Sequence, residues 1–193
     1  MKNINTNELK GCDYTPVFLE DAEAQEAPTR YAEGFAYEIN DGDGTCTVTG
    51  IDTLECEKLN IPPVIEGFKV TGIGDDAFAN YRHYRRLQSI IVPDSVTWIG
   101  DNAFWGCSSL KNVIIGNGVA WIGDSAFAYC GALKSVTIPA EAVRNMGDNV
   151  FLGCEALESV AITDSSVTPP TGTGKRFINI PADAPFLKIK IKH

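Results

Sequence analysis

"VTWIGDNAFWGCSSLKNVIIG", residues 96–116, is followed almost at once by "VAWIGDSAFAYCGALKSVTIP", residues 119–139. The two run in step through Trp-Ile-Gly-Asp, Ala-Phe, Cys and Leu-Lys into a short apolar alternation. Working outward, the same frame reappears in "VTGIGDDAFANY" from Val70 and "VRNMGDNVFLGC" from Val143. Phe78, Phe104, Phe127 and Phe151 are separated by 26, 23 and 24 residues. A repeat of this length cannot bury an apolar side alone and does so only by stacking on its neighbours, which predicts a solenoid.

Each part of one coil has a physical reading. In "LKNVII", Leu110, Val113 and Ile115 point inward on a short strand while Asn112 and Ile114 point out, and equivalent strands stack in parallel. Pro93, Gly116 and Pro139 then turn the chain where the ladder must stop. A second apolar pair follows (Val96/Ile99, Val119/Ile122, Val143/Met146) and leads into Gly-Asp. The aspartate of that pair, Asp75, Asp101, Asp124 or Asp148, is expected to N-cap a helix of one to two turns that carries the Phe into the core.

The unit V-x-x-I-G-D-x-A-F-x-x-C-x-x-L-x-x-V-x-I-P resembles the BspA-like (Treponema-type) leucine-rich repeats, strongly over residues 70–162, with "LNIPPVIEGFKVTGIG" at 59–74 resembling a first, incomplete coil. Departures are Tyr81 in the cysteine slot, Met146 for Ile, Val150 for Ala and one extra residue at Ala140 or Glu141. The resemblance implies an α/β repeat solenoid: a right-handed leucine-rich-repeat superhelix with a concave parallel sheet and short outer helices. It also implies a protein that binds other proteins, often at bacterial surfaces, and it carries over no catalytic residue.

Three of the six cysteines obey the same spacing. Cys107, Cys130 and Cys154 each lie three residues after the Phe, on what would be the inner face of the short helix. Adjacent helices pack about 8–10 Å apart, whereas disulfide-bonded Cβ atoms lie about 3.5–4.5 Å apart. Buried free thiols are therefore expected ahead of a disulfide or a metal site. Cys12, Cys46 and Cys56 lie outside the frame, and no C-x-x-C occurs.

"YRHYRR", residues 81–86, is the main irregularity. Phe to Leu is six residues in three repeats but nine from Phe78 to Leu87, so about three residues are inserted. Tyr81, Arg82, Tyr84 and Arg85 read as a solvated loop or a partner contact, since Tyr and Arg are favoured interface anchors. No nucleophile or carboxylate is set beside His83 by the pattern.

Bulk properties exclude several classes. With 16 Lys+Arg against 25 Asp+Glu, a net charge of −9 repels phosphate backbones and anionic membrane surfaces, so nucleic acid is an unlikely partner. Apolar runs of four or five residues fall far short of the roughly 20 that span a bilayer. No cofactor is called for, and a monomeric scaffold is expected. "LKGC" at 9–12 lacks an upstream apolar region and is not a lipoprotein signal. "DGDG" at 41–44 lacks the glycine and glutamate positions of a calcium loop and is expected to be a turn. "GTGK" at 172–175 lacks the first glycine and the hydroxyl of a phosphate loop.

The domain layout expected is a flexible acidic leader over 1–30, an N-terminal β-hairpin cap over 31–58, one incomplete and four full coils over 59–162, and a C-terminal loop with capping strands over 163–193. Lys188, Lys190 and Lys192 alternate on the last strand and would discourage edge-to-edge pairing. Two surfaces compete for a ligand. One is the outer face of the strands, small and almost uncharged, with Ile91 and Ile114 its bulkiest members. The other is a ridge of Trp98 and Trp121, extended by Trp105. The function expected is non-catalytic protein binding, as a surface adhesin-like protein or an intracellular inhibitor or adaptor. The alternative is a carbohydrate-binding surface protein or glycan-active enzyme. A cytoplasmic address goes with the chain being complete as written, a surface or secreted one with its being a fragment of an exported protein.

Overall fold

A computed structural model of the chain describes residues 29–32, 34–51, 57–79, 86–163 and 188–191. The leader up to residue 28, the insertion residues Tyr81, Arg82, His83, Tyr84 and Arg85, the "GTGK" segment, and Cys12 and Cys56 lie outside the described residues.

The repeat builds two sheets. Sheet B takes one four-residue strand from each coil: β7 (Ser89–Val92), β9 (Asn112–Ile115), β11 (Ser135–Ile138) and β12 (Ser159–Ile162), all parallel, with β4 (Lys58–Asn60) before β7 and β13 (Lys188–Ile191) after β12. Sheet A takes two-residue strands β8 (Trp98–Ile99) and β10 (Trp121–Ile122) from the same coils. At its N-terminal end it is extended by β6 (Phe68–Ile73), β3 (Thr45–Ile51), β2 (Phe35–Ile39) and β1 (Arg30–Ala32), with β5 (Val64–Ile65) pairing off β6.

The alternation read from sequence fixes sheet B. Ile90, Val113, Val136 and Val160 form one buried column and Val92, Ile115, Ile138 and Ile162 a second, with Leu87, Leu110, Leu133 and Leu157 buried at the strand entrances. Ser89, Asn112, Ser135 and Ser159 face outward, as do Ile91, Ile114, Thr137 and Ala161.

Opposite sheet B the phenylalanines form a single column. Phe78, Phe104 and Phe127 stack with ring centroids 5.0 Å apart, and Phe127 and Phe151 at 5.7 Å, all within 12° of parallel. That spacing matches neighbouring strands, about 4.7–4.9 Å, and it rules out the helices expected on this side, which need about 8–10 Å between axes.

The segments after Gly-Asp are turns, and this corrects the expected fold. Asp76, Asn102, Ser125 and Asn149 sit at φ between 54° and 59°, in the left-handed region that interrupts a helix. Alternate amides then donate to the next coil: Asn102 N–H to Asp124 O (2.9 Å), Phe104 N–H to Ala126 O (2.8 Å) and Gly106 N–H to Ala128 O (2.9 Å), with the same rhythm from Ser125, Phe127 and Tyr129. Among the described residues the sole helix is α1 (Ala140–Arg144), which takes up the extra residue after Pro139.

The aspartates are likewise not helix caps for their own coils. Asp75 Oδ1 accepts from the Asp101 amide (2.9 Å), Asp101 Oδ1 from Asp124 (2.7 Å) and Asp124 Oδ1 from Asp148 (2.7 Å), so each carboxylate ties its coil to the following one. The glycines before Asp101, Asp124 and Asp148 have their cause here. A Cβ at Gly100, Gly123 or Gly147 would overlap both the carboxylate and the backbone at Asp75, Asp101 or Asp124 in the preceding coil.

At the N-terminal end β2 and β3 form the antiparallel hairpin anticipated around "DGDG". Asp43 accepts from both the amide (2.9 Å) and the hydroxyl (2.6 Å) of Thr45, which holds its carboxyl below the usual range. The segment is a turn, with Gly42 and Gly44 at positive φ. Tyr37, fully buried, donates to Glu66 Oε2 at 2.7 Å and ties the hairpin to the β5–β6 turn.

Candidate partner-binding surface

The candidate residues fall on different sides of the coil. Ile91 and Ile114 are adjacent partners in the register of β7 and β9 and remain 41% and 49% exposed. They are the largest apolar side chains on the outer face of sheet B; beyond them the same column shrinks to Thr137 and Ala161. Ser135 donates its hydroxyl to Asn112 Oδ1 at 2.9 Å, so the neighbouring polar column is partly engaged with itself.

Trp98 and Trp121 are register partners in sheet A, but they are not equivalent. Gly72 precedes Trp98 in the same column, and a Cβ there would overlap the indole: the Trp98 ring lies on the glycine and is half-buried. Trp121 is 41% exposed, and Asn145 follows it, donating to Ala120 O at 3.1 Å. Trp105 belongs to the turn side, where its ring meets Tyr129 edge-on at 5.7 Å.

Sequence reading missed Tyr129. It occupies the slot filled by Gly106 and Gly153 in neighbouring coils, holds φ 59°, and is 52% exposed. A bulky residue where the frame supplies glycine was the available signal.

The thiols are chemically quiet. Cys107, Cys130 and Cys154 are buried and free, and each donates S–H to the carbonyl of a Phe in the preceding coil: Phe78 (3.4 Å), Phe104 (3.3 Å) and Phe127 (3.1 Å). Burial pushes Cys107 up to about 12; Cys130 is also raised, by its contact with Cys154 and by burial. Free thiols were expected from helix spacing; here the coils stand at strand spacing, and each free thiol is bonded to a backbone carbonyl of the preceding coil.

A hollow of about 310 Å³ opens at the entrance margin of sheet B, lined by Glu57, Arg86, Gln88, Ser108, Ser109 and Lys111 among others. Arg86, the last residue of the insertion, lies 3.7 Å from Glu57, and Lys111 donates to Gln88 Oε1 at 2.8 Å. Among the described residues no three His, Cys, Asp or Glu side chains are placed to hold a metal, and no helix is long and apolar enough to cross a membrane.

Residues 52–169 match the BspA type leucine rich repeat region in six copies. The chain belongs to the BspA-type leucine-rich repeat family. A leucine-rich repeat protein from Bacteroides capillosus is 35% identical, with a TM-score of 0.61 over 72% of this chain and 100% of that one. A leucine rich cell surface protein from Faecalibacterium prausnitzii is 30% identical, with a TM-score of 0.51; the match covers 75% of this chain and 47% of that one. The T. pallidum leucine-rich repeat protein, 21% identical with a TM-score of 0.56 over 69% of this chain and 71% of that one, shares the fold. Among curated proteins none matches the chain significantly. The repeat supplies a scaffold of stacked coils.

Proposed function

We propose that this BspA-type array is a non-catalytic scaffold that binds another protein through the outer face of sheet B. The observation that carries the reading is the pair Ile91 and Ile114, two aliphatic side chains left about half-exposed side by side on a rigid parallel sheet. Contiguous apolar surface rimmed by polar groups marks interaction sites. A scaffold rather than a catalyst is supported by how the recurrent groups are used: the aspartates accept from neighbouring backbone, and the thiols are buried and donate to backbone carbonyls. The likeness to the F. prausnitzii cell surface protein supports a cell-surface setting.

A second reading places the contact on sheet A, where Trp121 offers an exposed indole. A flat aromatic ring of this kind also suits a sugar.

The test compares full-length variants against a partner captured from the native environment and identified by cross-linking. Ile91→Glu with Ile114→Glu should weaken binding about tenfold or more, as for loss of a buried apolar anchor, while Trp121→Ala changes it little. The reverse order of effects transfers the site to sheet A. Glycan binding that survives the Ile pair and disappears with Trp121→Ala replaces the protein-binding reading.

A further inference from the structure

The turn side carries a side chain that the repeat does not need. The slot two residues after the phenylalanine is left-handed, with Gly106 at φ 72° and Gly153 at 71°, and Tyr129 holds the same conformation at 59°. Glycine does that backbone work in the coils on either side at no steric cost, so the outlier points to what the tyrosine presents. Its ring lies across Gly153, where a Cβ would stand 2.8 Å from Tyr129 Cδ1, and the Tyr129 amide donates to Leu152 O at 2.6 Å, which holds its backbone against that coil. From the other side the half-buried Trp105 meets the ring edge-on at 5.7 Å. Tyr129 is nevertheless 52% exposed, so an aromatic surface laid over successive coils faces outward.

The charges around this surface have one sign. In the turn stretches 74–79, 100–107, 123–130 and 147–154 the charged residues are Asp75, Asp76, Asp101, Asp124 and Asp148, with no lysine, arginine or histidine among them. Glu155 is exposed directly after the last stretch, two residues from Gly153. The described cations that flank these stretches along the chain are Lys69 on β6, Arg86, Lys111 and Lys134 at the entrance to sheet B, and Arg144, which is engaged with Glu141 at 3.0 Å. Residues 80–85, Arg82 and Arg85 included, lie outside the described residues, and no part of the site rests on them. An aromatic surface with carboxylates at its margin fits a planar, weakly hydrated cation: guanidinium stacks on aromatic rings and donates to carboxylates, which a compact ammonium group does less well. We propose that Tyr129 and Trp105, with Asp148 and Glu155 on the coil beneath the Tyr129 ring, form a second contact surface that takes an arginine-bearing peptide segment of a partner protein. The guanidinium lies over the exposed Tyr129 ring, and the field of the two carboxylates holds it there. The surface uses no residue of sheet B, so it stands or falls independently of that face.

The test titrates the full chain with acetylated hexaarginine amide and hexalysine amide, with affinities from calorimetry and the Tyr129 ring and Trp105 indole signals followed by NMR. Hexaarginine should shift both signals and bind about two- to fivefold more tightly than hexalysine, the size of an exposed cation–π contact. Tyr129→Gly, which restores the residue found in the neighbouring coils, should remove that preference, and Tyr129→Phe should retain it. Asp148→Asn with Glu155→Gln should weaken both peptides and reduce the loss of affinity as salt rises from about 0.05 to about 0.5 M, while the preference for arginine remains. Trp121→Ala, which removes the exposed indole of sheet A, should leave both affinities unchanged. Equal affinity of the wild-type chain for the two peptides means general charge attraction and overturns the proposal. An arginine preference that survives Tyr129→Gly, or Tyr129 and Trp105 signals that stay in place at saturation, overturns it as well.

Discussion

The two long sides of one coil solve the same problem with different chemistry. On sheet B, four-residue strands with a period of two place valine and isoleucine inside and small polar groups outside. On the turn side, left-handed residues recur four apart, at Asn102 and Gly106, Ser125 and Tyr129, and Asn149 and Gly153, every second amide of the turns at 102–106 and 125–129 reaches the next coil, and the aspartate carboxylates and cysteine thiols add further links. Both sides hold the coils at strand spacing. The sheet does so with backbone alone, and the turn side needs particular side chains, so the turn side should tolerate substitution far less well.

Column residues offer the sharpest contrast. Phe127 is fully buried between Phe104 and Phe151, and Phe127→Ala should destabilise the array by about 3–5 kcal/mol, by lost burial plus the cavity left in the stack. Ile114→Ala, on the exposed face, should cost well under about 1 kcal/mol. Urea denaturation of the two variants checks this, and similar midpoints would erase the distinction between the sides.

Gly123→Ala comes next. Its methyl group would overlap the Asp101 carboxylate, an overpacking cost of about 1–3 kcal/mol. Asp101→Ala alone should cost about 1 kcal/mol, through loss of its bond to the Asp124 amide. Combining the two should still cost at least as much as Gly123→Ala alone, because the methyl group would also overlap the Asp101 amide nitrogen and the Gly100 carbonyl carbon, at 2.6 and 2.7 Å. Full recovery of stability in the double variant would mean that the carboxylate alone excludes a side chain there.

The thiol row provides a pH test. Cys107 has its pKa raised from 9.0 to about 12 because burial disfavours the thiolate. The folded chain therefore binds the proton more tightly than the unfolded one. This contribution is fully present below pH 9 and is lost progressively as pH rises through about 12. Denaturation midpoints should be insensitive to this residue between pH 7 and 9 and fall above that range, and Cys107→Ala should flatten the fall. An unchanged slope in the variant would place the alkaline transition elsewhere.

Tyr129→Gly should produce the smallest change. Relief of a left-handed tyrosine, about 1–2 kcal/mol, is offset by loss of the edge contact with Trp105, about 0.5–1.5 kcal/mol. A shift in stability larger than about 1 kcal/mol in either direction would show that one of the two terms has been misjudged.

This division also explains what the sequence made legible. The period, the inward Val and Ile, the phenylalanine column and the family were all readable, because burial repeats at fixed spacing and apolar residues mark it directly. The turn side was misread as helix because Asp-x-Ala-Phe satisfies a local capping rule as well as it satisfies a bond to the following coil. Asp101 looks the same in sequence whether its acceptor serves its own chain end or the Asp124 amide 23 residues away. Gly72 carried no signal either, since only the position of the Trp98 ring shows why it lacks a side chain. The surface pair Ile91 and Ile114 was accessible from strand alternation, whereas the contact of Tyr129 with Trp105 emerges only when the coils are stacked.

The most direct test of the stacking itself is a through-hydrogen-bond scalar coupling measured by NMR on the turn side. The Phe104 amide should couple to the carbonyl of Ala126 in the next coil. A coupling from Phe104 back to Gly100, four residues earlier in its own coil, would mean that this side is helical and that the coils are not held together there.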